Sequence, residues 1–280
     1  MKKLLLVDGS NLLFQMFYGM PARIIGKNGI PIHGVIGFVG ALLKIIKMTA
    51  PTHIAVLFDG ETHNPRLELD ESYKANRPDY QEVPEEELPF FQLPYIEKAL
   101  DLLGISHRET EACEVDDWMA SYVATYSCKC EIVISSFDSD FFQLISDSVT
   151  VLRYRGDATL LCTPTYLKGK YGIIPAQYAD FKSLVGDTAD NIKGVPSIGP
   201  KTAAKLLSTY GCVNSLYDNI DTVMPTRLQQ VLIEHKKRLS LNRRLITLNG
   251  DAPLPFALDE LAYHDKHLTT TEILITLGLK

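Results

Sequence analysis

Residues 4–8 read LLLVD, a short apolar run that ends at an aspartate. A run of this length, without polar alternation, is typical of a strand that is buried on both faces of a sheet. The pattern recurs at residues 54–58, before Asp59, and at residues 131–135, just before Asp138. The sequence therefore predicts three buried strands, each with an acid beyond its carboxyl end.

Helical patterns separate these runs, at residues 35–48, 93–103 and 116–126. Strands that alternate with helices predict an α/β fold in which a mostly parallel sheet is flanked by helices. Ligands of such sheets bind beyond the carboxyl ends of the strands. The three strand-end acids therefore indicate a functional site rather than solvated surface charge.

Nine carboxylates in five short clusters form the candidate site. They are Asp8, Asp59, Glu114 with Asp116 and Asp117, Asp138 with Asp140, and Asp187 with Asp190. Asp187 and Asp190 are three residues apart, so they would share one face of a helix. Asp138 and Asp140 are two apart at a strand end, where alternate side chains point the same way. The group at 114–117 precedes a helix, whose N-terminus favours negative charge.

Carboxylates at this density repel one another unless cations bind between them. Oxygen ligands suit hard divalent ions such as Mg²⁺ and Mn²⁺. Two such ions about 4 Å apart can hold the attacking and the leaving oxygen of a phosphodiester. Zinc is disfavoured, since no His or Cys has ligand spacing beside these acids. The alternative interpretation, solvated acids or helix caps, explains a single cluster better than it explains all five.

Residues 60–92 are rich in Asn, Pro, Asp and Glu, and they predict an excursion over the site. Within this segment, Arg66 and Tyr73 are seven residues apart, so a helix would place Arg66, Tyr73, Lys74 and Arg77 along one side. A cation there could stabilise the charge that develops at a scissile phosphate, and an aromatic ring could stack on a base. The alternative is a solvated, charged helix.

From about residue 175 the pattern becomes helical, with short turns that contain glycine, and it predicts a small helical subdomain. Residues 194–203, GVPSIGPKTA, are typical of a turn that opens a helix, where backbone amides bind phosphate without reading sequence. Lys193, Lys201 and Lys205 add positive charge, and an ordinary helix connection is the alternative. A basic run within 236–244 is either a second backbone contact or a solvated face.

Composition narrows the class of protein. The chain has 280 residues, 46% of them apolar and 22% charged, as in globular domains. No apolar run reaches the roughly 18 residues of a membrane span, and Asp8 interrupts the N-terminal run that a signal peptide needs. Five scattered cysteines predict reduced thiols in a cytosolic protein rather than a disulfide framework. The net charge of −6 argues against binding of nucleic acid only if the acidic residues do not bind cations.

Six motifs in fixed order resemble the bacterial 5′-nuclease family, which contains flap endonucleases and the 5′–3′ exonuclease domain of DNA polymerase I. They are VDGSN at 7–11, FDG at 58–60, YKANR at 73–77, EVDD at 114–117, DSD at 138–140, and GDTADNI at 186–192 followed by the glycine turn. The resemblance spans about residues 1–245. It implies a PIN-like 5′-nuclease fold with a catalytic α/β domain, 1–174, and a helical arch at about 60–92. A helix–hairpin–helix-type DNA-binding subdomain, 175–245, and a packed C-terminal tail, 246–280, follow.

The resemblance also implies roles for individual residues. One metal ion is expected on Asp8, Asp59, Glu114 and Asp116, and a second among Asp117, Asp138, Asp140, Asp187 and Asp190. Lys74 and Arg77 are expected at the scissile phosphate, with Tyr73 as a stacking aromatic and Arg66 as a basic position earlier in the arch. DNA contacts are expected from Gly194, Gly199, Lys201 and Thr202, and a K⁺ site from the backbone carbonyls around Val195 and Ile198.

Two places depart from the family pattern. Where the family usually has Gly-Asp-Lys/Arg-Asp, this chain has Phe137-Asp138-Ser139-Asp140, which keeps both acids and lacks the glycine and the basic residue. Ser197 stands where the turn usually has glycine, and serine tolerates positive φ less well than glycine. A changed DNA contact and a changed K⁺ geometry are expected at these positions.

We therefore predict a free-standing, Mg²⁺-dependent 5′–3′ exonuclease and flap endonuclease that uses two metal ions, for which Mn²⁺ can substitute. Its expected partner is DNA with 5′ flaps, nicks or single-strand/duplex junctions, including RNA-primed ends. The expected state is a cytoplasmic, nucleoid-associated monomer. A non-catalytic junction binder would have lost ligands, and none is missing. A phosphatase or RNase would lack the glycine turn and the Tyr73-Lys74-Arg77 segment, and both are present.

Overall fold

A six-stranded sheet forms the centre of the computed structural model, which describes residues 2–27, 29–60, 65–77, 80 and 82–280. The strands in chain order are β1 (Lys2–Asp8), β2 (His53–Phe58), β3 (Ser106–Glu109), β4 (Cys130–Ser135), β5 (Val149–Arg153) and β6 (Leu160–Cys162). Their spatial order is β3-β2-β1-β4-β5-β6, and every pair is parallel except β5 and β6. The three strands expected from the sequence, β1, β2 and β4, lie side by side.

Helices cover both faces of this sheet. Those before residue 175 are α1 (Gly9–Gly19), α2 (His33–Thr49), α3 (Pro65–Leu69), α4 (Leu93–Leu103), α5 (Val115–Tyr126) and α6 (Pro164–Tyr171). Those after it are α7 (Tyr178–Val185), α8 (Pro200–Tyr210), α9 (Val213–Asp218), α10 (Thr226–Glu234), α11 (Lys236–Ile246) and α12 (Thr270–Thr276). The predicted α/β fold, with a mostly parallel sheet and a helical C-terminal part, is therefore confirmed.

The apolar run of β1 explains why the sheet is covered on both sides. Leu4 and Leu6 are fully buried in one core cluster, and Leu5 and Val7 are fully buried in the other. Successive strand residues point to opposite faces, so each face of β1 packs under a layer of helices. Burying each such side chain stabilises the fold by about 1.5–3 kcal/mol. The acid at the end of the run is thereby held at the edge of a rigid sheet.

The C-terminal helices share the core of the sheet. Leu184 on α7, Leu206 on α8 and Leu239 on α11 belong to the same buried cluster as Leu4. The last residues pack on the other cluster through α12, and the amide of Tyr263 donates to Thr52. None of the described helices has the length and apolar character needed to cross a membrane. The domain limits 174/175 and 245/246 stay predictions.

The predicted arch falls partly on residues outside the described ranges, namely 61–64, 78, 79 and 81. Its described part begins with the short helix α3, continues as turns through residue 76, and includes 3₁₀ turns at Glu85–Glu87 and Pro89–Gln92. The expectation that one helix carries Arg66 through Arg77 is wrong. The helix ends at Leu69, and Lys74 has a φ of 58°, which no helix allows.

Candidate metal centre

A cavity of about 580 Å³ lies at the carboxyl edge of the sheet. Five of the predicted acids line it, namely Asp8, Asp59, Glu114, Asp116 and Asp138. Asp8 ends β1, Asp59 follows β2, Asp138 follows β4, and Glu114 caps the helix α5. The fold therefore brings together side chains that are up to 130 positions apart in the sequence (8 to 138).

Backbone and hydroxyl groups hold the carboxylates of this cavity in place. Asp8 caps α1 by accepting from the amide of Asn11 at 2.9 Å, and it accepts from the Ser136 hydroxyl at 2.7 Å. Asp59 accepts from the amide of Val115 at 3.1 Å, which joins the end of β2 to the start of α5. Ser136 was not predicted as a site residue. A single serine two residues before Asp138 carries no sequence signal of its own.

Burial makes these acids unfavourable as bare anions. It raises the pKa of Asp8 to about 7, with help from Asp59, and it raises the pKa of Asp59 as well. The pKa of Asp116 lies well above its usual value, first through burial and then through Asp138. Within the described ranges, Asp8, Asp59, Asp116 and Asp138 form no salt bridge with a Lys or Arg. A set of carboxylate oxygens that share one cavity and lack cationic partners fits a hard divalent cation.

A second group of acids lies beside the cavity. One oxygen each from Asp140, Asp187 and Asp190 lies within 4.8 Å of the others, a spacing suited to one metal ion. Asp187 and Asp190 do not share a helix, contrary to the expectation. They belong to a tight hairpin between β7 (Gly186–Asp187) and β8 (Ile192–Lys193). The positive φ of Gly186, 89°, and of Asn191, 58°, bends the chain there.

Asp138 and Asp140 were expected to point the same way, but their side chains belong to different groups of acids. Asp140 begins a 3₁₀ helix, Asp140–Leu144, so strand alternation does not apply to it. The Asp138 carboxylate lines the cavity and accepts from the amide of Asp140 at 2.8 Å. Asp140 instead pairs with Lys182, whose ammonium also bonds to Asp187. The two groups are thus joined through the 138–140 backbone.

Asp117 lies outside both groups, although it was expected among the ligands of the second ion. Its two oxygens receive both terminal nitrogens of Arg66, at 2.7 and 3.0 Å, and the amide of Asn249 at 2.9 Å. Arg66 itself is 7% exposed and donates through Nε to the carbonyl of Leu245. The pair ties α3 and α5 to the end of α11, so it fixes the position of the helix that carries Glu114 and Asp116.

Replacing Arg66 tests this anchoring role. Arg66→Met leaves Asp117 buried without its partner, so we expect the free energy of unfolding to fall by about 3–5 kcal/mol. Arg108→Met is the matched control, because Arg108 forms an exposed pair with Glu111 and should lose at most about 1 kcal/mol. Urea unfolding followed by circular dichroism measures both. Equal losses in the two variants would contradict the buried anchor.

Lys74 and Arg77 line the mouth of the cavity, and Tyr73 lies beside Lys74. The ammonium of Lys74 pairs with Glu114, and burial, which lowers the pKa of Lys74, is outweighed by that carboxylate, which raises it. Tyr73 is 4% exposed, and its ring lies under the ammonium of Lys74. The ring therefore supports the lysine and is not accessible for stacking on a nucleic-acid base. Arg77 is exposed and lies 3.5 Å from Asp190.

Hydrogen bonds clamp this segment onto the acidic hairpin. The amide of Lys74 donates to the carbonyl of Asp190 at 3.0 Å. The Asn76 side chain donates to the carbonyl of Thr188, and the Asn191 side chain donates to that of Ser72. The cations at the cavity mouth are therefore positioned by the same hairpin that carries two of the acids.

The glycine turn begins directly after β8 and opens a helix, as expected; that helix, α8, begins at Pro200. Gly194 lies so close to Val185 and Gly186 that a Cβ there would meet the carbonyl oxygen of Val185 at 2.2 Å, so its first role is packing. Val195 and Ile198 are buried and close the turn by a backbone bond. Ser197 has a φ of 64°, so it does adopt the conformation that glycine favours. Lys201 is exposed on the first turn of α8 and Thr202 is partly exposed, with Gly199 as its N-cap.

Removing the metal is expected to make stability depend on pH. Burial raises the pKa of Asp8 to about 7 from 3.8. Between those values the folded protein holds a proton that the unfolded chain has lost, so the free energy of unfolding falls as the pH rises. In EDTA, the wild type should therefore lose more stability than Asp8→Asn between about pH 4 and pH 7. Thermal unfolding of both proteins measures the difference, and parallel curves would contradict it.

Comparison with known proteins identifies the family. The model described as 5′-3′ exonuclease, N-terminal resolvase-like domain, matches residues 3–172. The model described as 5′-3′ exonuclease, C-terminal SAM fold, matches residues 173–269. The two matches meet where the sheet ends and the C-terminal helices begin.

Individual relatives agree with this assignment. The chain is 36% identical over 265 residues to DNA polymerase I of Bacillus subtilis, covering 94% of the chain and 29% of the polymerase. It is also 36% identical over 254 residues to the thermostable DNA polymerase I of Thermus thermophilus, covering 90% of the chain and 29% of that protein. The chain thus spans less than a third of these relatives.

The fold has a counterpart among solved structures. The bacteriophage T5 D15 flap endonuclease, in a pseudo-enzyme-product complex with DNA and metal ions, matches with a TM-score of 0.71. Identity is 23%, and the match covers 88% of this chain and 89% of that one. From both family models and the polymerase relatives, we conclude that the chain belongs to the 5′–3′ exonuclease family.

Proposed function

We propose that this chain is a structure-specific 5′–3′ exonuclease and flap endonuclease, which hydrolyses DNA phosphodiesters at 5′ flaps, nicks or primer ends. The observation that carries the proposal is the cavity at the sheet edge. Its five acids lie together with two cations, Lys74 and Arg77, that line the same cavity. A phosphodiester entering this cavity meets oxygen donors for metal ions on one side and positive charge on the other.

Two Mg²⁺ ions, for which Mn²⁺ can substitute, complete this centre in our proposal. Asp8, Asp59, Glu114, Asp116 and Asp138 would hold one ion, and Asp140, Asp187 and Asp190 the other. When bound, such ions supply Lewis-acid stabilisation of the attacking and leaving oxygens. Asp117 is left out of both sets, because Arg66 and the amide of Asn249 use its oxygens.

The side chains at the mouth act on the phosphate itself. Lys74 and Arg77 bind the non-bridging oxygens and stabilise the negative charge that develops on them in the transition state. The clamp between their segment and the acidic hairpin keeps these cations beside the acids, so little reorganisation is needed when the substrate arrives. Cleavage would leave a 5′-phosphate on the downstream product.

The substrate side of the proposal rests on the C-terminal helices. The first turn of α8, with Gly199, Lys201 and Thr202, offers unpaired amides and charge to a duplex backbone. The carbonyls of the turn around Val195 and Ile198 would hold K⁺ between protein and phosphate. Arg66 and Tyr73 support the centre from within. DNA junctions and RNA-primed ends are the proposed partners of a cytoplasmic, nucleoid-associated monomer.

The polarity of cutting tests this function. Two DNA substrates of the same duplex sequence, one with a 5′ flap and one with a 3′ flap, are incubated with Mg²⁺ and their products mapped. We expect cuts close to the junction of the 5′ flap and a rate at least tenfold lower on the 3′ flap. Equal cutting of both flaps, or release of phosphate from a small phosphoester alone, would overturn the proposal.

A further inference from the structure

Lys182 lies within the second group of acids, although the residues next to it in the sequence do not indicate a functional site. It stands on α7, and only 9% of its side chain is exposed. Its ammonium donates to Asp140 at 2.6 Å, to Asp187, and to the Ser139 hydroxyl at 3.3 Å. An ammonium has three donors, so these three partners use all of them.

The oxygens that Lys182 bonds are the ones that a metal ion would take. The Asp140–Asp187–Asp190 group is the one described set of His, Cys, Asp or Glu side chains whose ligand atoms lie within 4.8 Å of one another. Lys182 forms salt bridges with two of these three carboxylates, Asp140 and Asp187. A divalent ion that binds there must displace the ammonium from at least one carboxylate.

The cavity is balanced differently. In the part of the chain that the structure describes, Glu114 is the one cavity acid that pairs with cations, namely Lys74 and Arg66. Backbone amides donate to Asp8, Asp59 and Asp138, and the Ser136 hydroxyl also donates to Asp8. Neither these three acids nor Asp116 form a salt bridge with a described Lys or Arg. Among the described residues, the two groups of acids thus differ in how their charge is balanced. Cations bond one of the five cavity acids, Glu114, whereas Lys182 by itself bonds two of the three acids of the second group.

Charge repulsion turns this difference into an order of binding. A unit positive charge within about 4 Å of a divalent cation lowers the binding constant of that cation by at least about tenfold at the effective dielectric constant of a protein. Moving the ammonium away instead costs its three hydrogen bonds in a buried setting. Either way, the second ion meets a larger penalty than the first, because Lys182 holds two of its three ligands while cations hold one of the five cavity acids.

We propose that Lys182 is the resident counter-ion of the second acid group, and that it makes the two metal sites fill in sequence, the cavity first. The inference rests on the proposed function, because it takes the two groups of acids as metal sites. In the absence of DNA, one ion binds and Lys182 stays on Asp140 and Asp187. The second ion binds fully only when it displaces the lysine.

Counting bound Mn²⁺ tests the proposal without any cleavage reaction. Metal-free protein is titrated with Mn²⁺ in the absence of DNA, and free Mn²⁺ is measured by electron paramagnetic resonance. For the wild type we expect one ion to bind at least tenfold more tightly than the second. In Lys182→Met the second binding constant should rise at least tenfold, with the first unchanged within twofold. Lys182→Arg, which keeps the charge, should behave like the wild type.

The controls separate this inference from the proposed function. Lys168→Met, which removes an exposed lysine on α6, should leave both constants unchanged. Unchanged constants in Lys182→Met, or two equal constants in the wild type, would overturn the inference and leave the proposed function standing. A wild type that binds no Mn²⁺ would overturn both.

A measurement on the wild type covers the case in which Lys182→Met does not fold. Crystals of the protein soaked in rising Mn²⁺ concentrations show each ion by its anomalous scattering. We expect the cavity ion at the lowest concentration, and the lysine head moved off Asp140 or Asp187 wherever the second ion is present. A second ion bound while Lys182 keeps both contacts would overturn the proposal.

Discussion

Replacing Asp8 with asparagine is expected to lower the rate of flap cleavage by about 10³-fold or more, since it removes one anionic ligand from the centre of the cavity. The fold should survive the change. Asn is as good an N-cap as Asp, so the bond from the amide of Asn11 that starts α1 can still form. The measurement is the single-turnover rate on a 5′-labelled flap with Mg²⁺, together with the dissociation constant for that DNA.

The control for this variant is Asp101→Asn, which neutralises an exposed acid on α4. It should cut at the wild-type rate. Asp8→Asn should bind the flap within a fewfold of the wild type, because DNA contacts lie mainly on basic groups and backbone amides. A fully active Asp8→Asn would remove Asp8 from the metal centre.

Replacing Lys74 with methionine is expected to lower the single-turnover rate by about 10²–10³-fold, the loss typical of removing one donor to a developing charge. Lys74 is the cation that the fold places deepest at the cavity mouth, with 15% of its side chain exposed. Lys74→Arg should recover part of the rate, because the charge is kept while the shape of the donor differs.

The matched control for Lys74 is Lys98→Met, an exposed lysine on α4 that should leave the rate unchanged. The distinction that matters is between chemistry and binding. If Lys74→Met weakened DNA binding but cut at the wild-type rate once saturated, the lysine would act in capture of the substrate and have no part in the transition state.

Local sequence signals were enough to predict the three central strands of the sheet and the acids at their carboxyl ends. The run before Asp8 is apolar throughout because both faces of β1 are covered, and the same holds for β2 and β4. The sequence of each of these strands therefore predicts both that the strand is buried and where it ends. The shorter strands β3, β5 and β6 were not predicted. Ser106–Glu109 is polar and exposed in part, so it carries no strand pattern. Val149–Arg153 is mostly apolar and buried, and that signal was overlooked.

The errors concern residues whose placement depends on distant partners. Arg66 finds Asp117 and Leu245, 51 and 179 positions away, and no spacing rule could indicate that it points inward. Lys182 folds back on acids from two other segments. Asp187 and Asp190 were assigned to a helix although Gly186 and Asn191, which turn the chain, were visible in the sequence. There the helical spacing was given more weight than the turn residues.

The most direct test of the central claim is cleavage of a 5′-labelled flap by metal-stripped protein as Mg²⁺ is added back. The account predicts no product in EDTA, product close to the flap junction once Mg²⁺ is present, and no recovery in Asp8→Asn at any Mg²⁺ concentration. Product formed in EDTA, or a full rate in Asp8→Asn, would contradict the claim that the acids at the sheet edge form a metal-dependent phosphodiesterase centre.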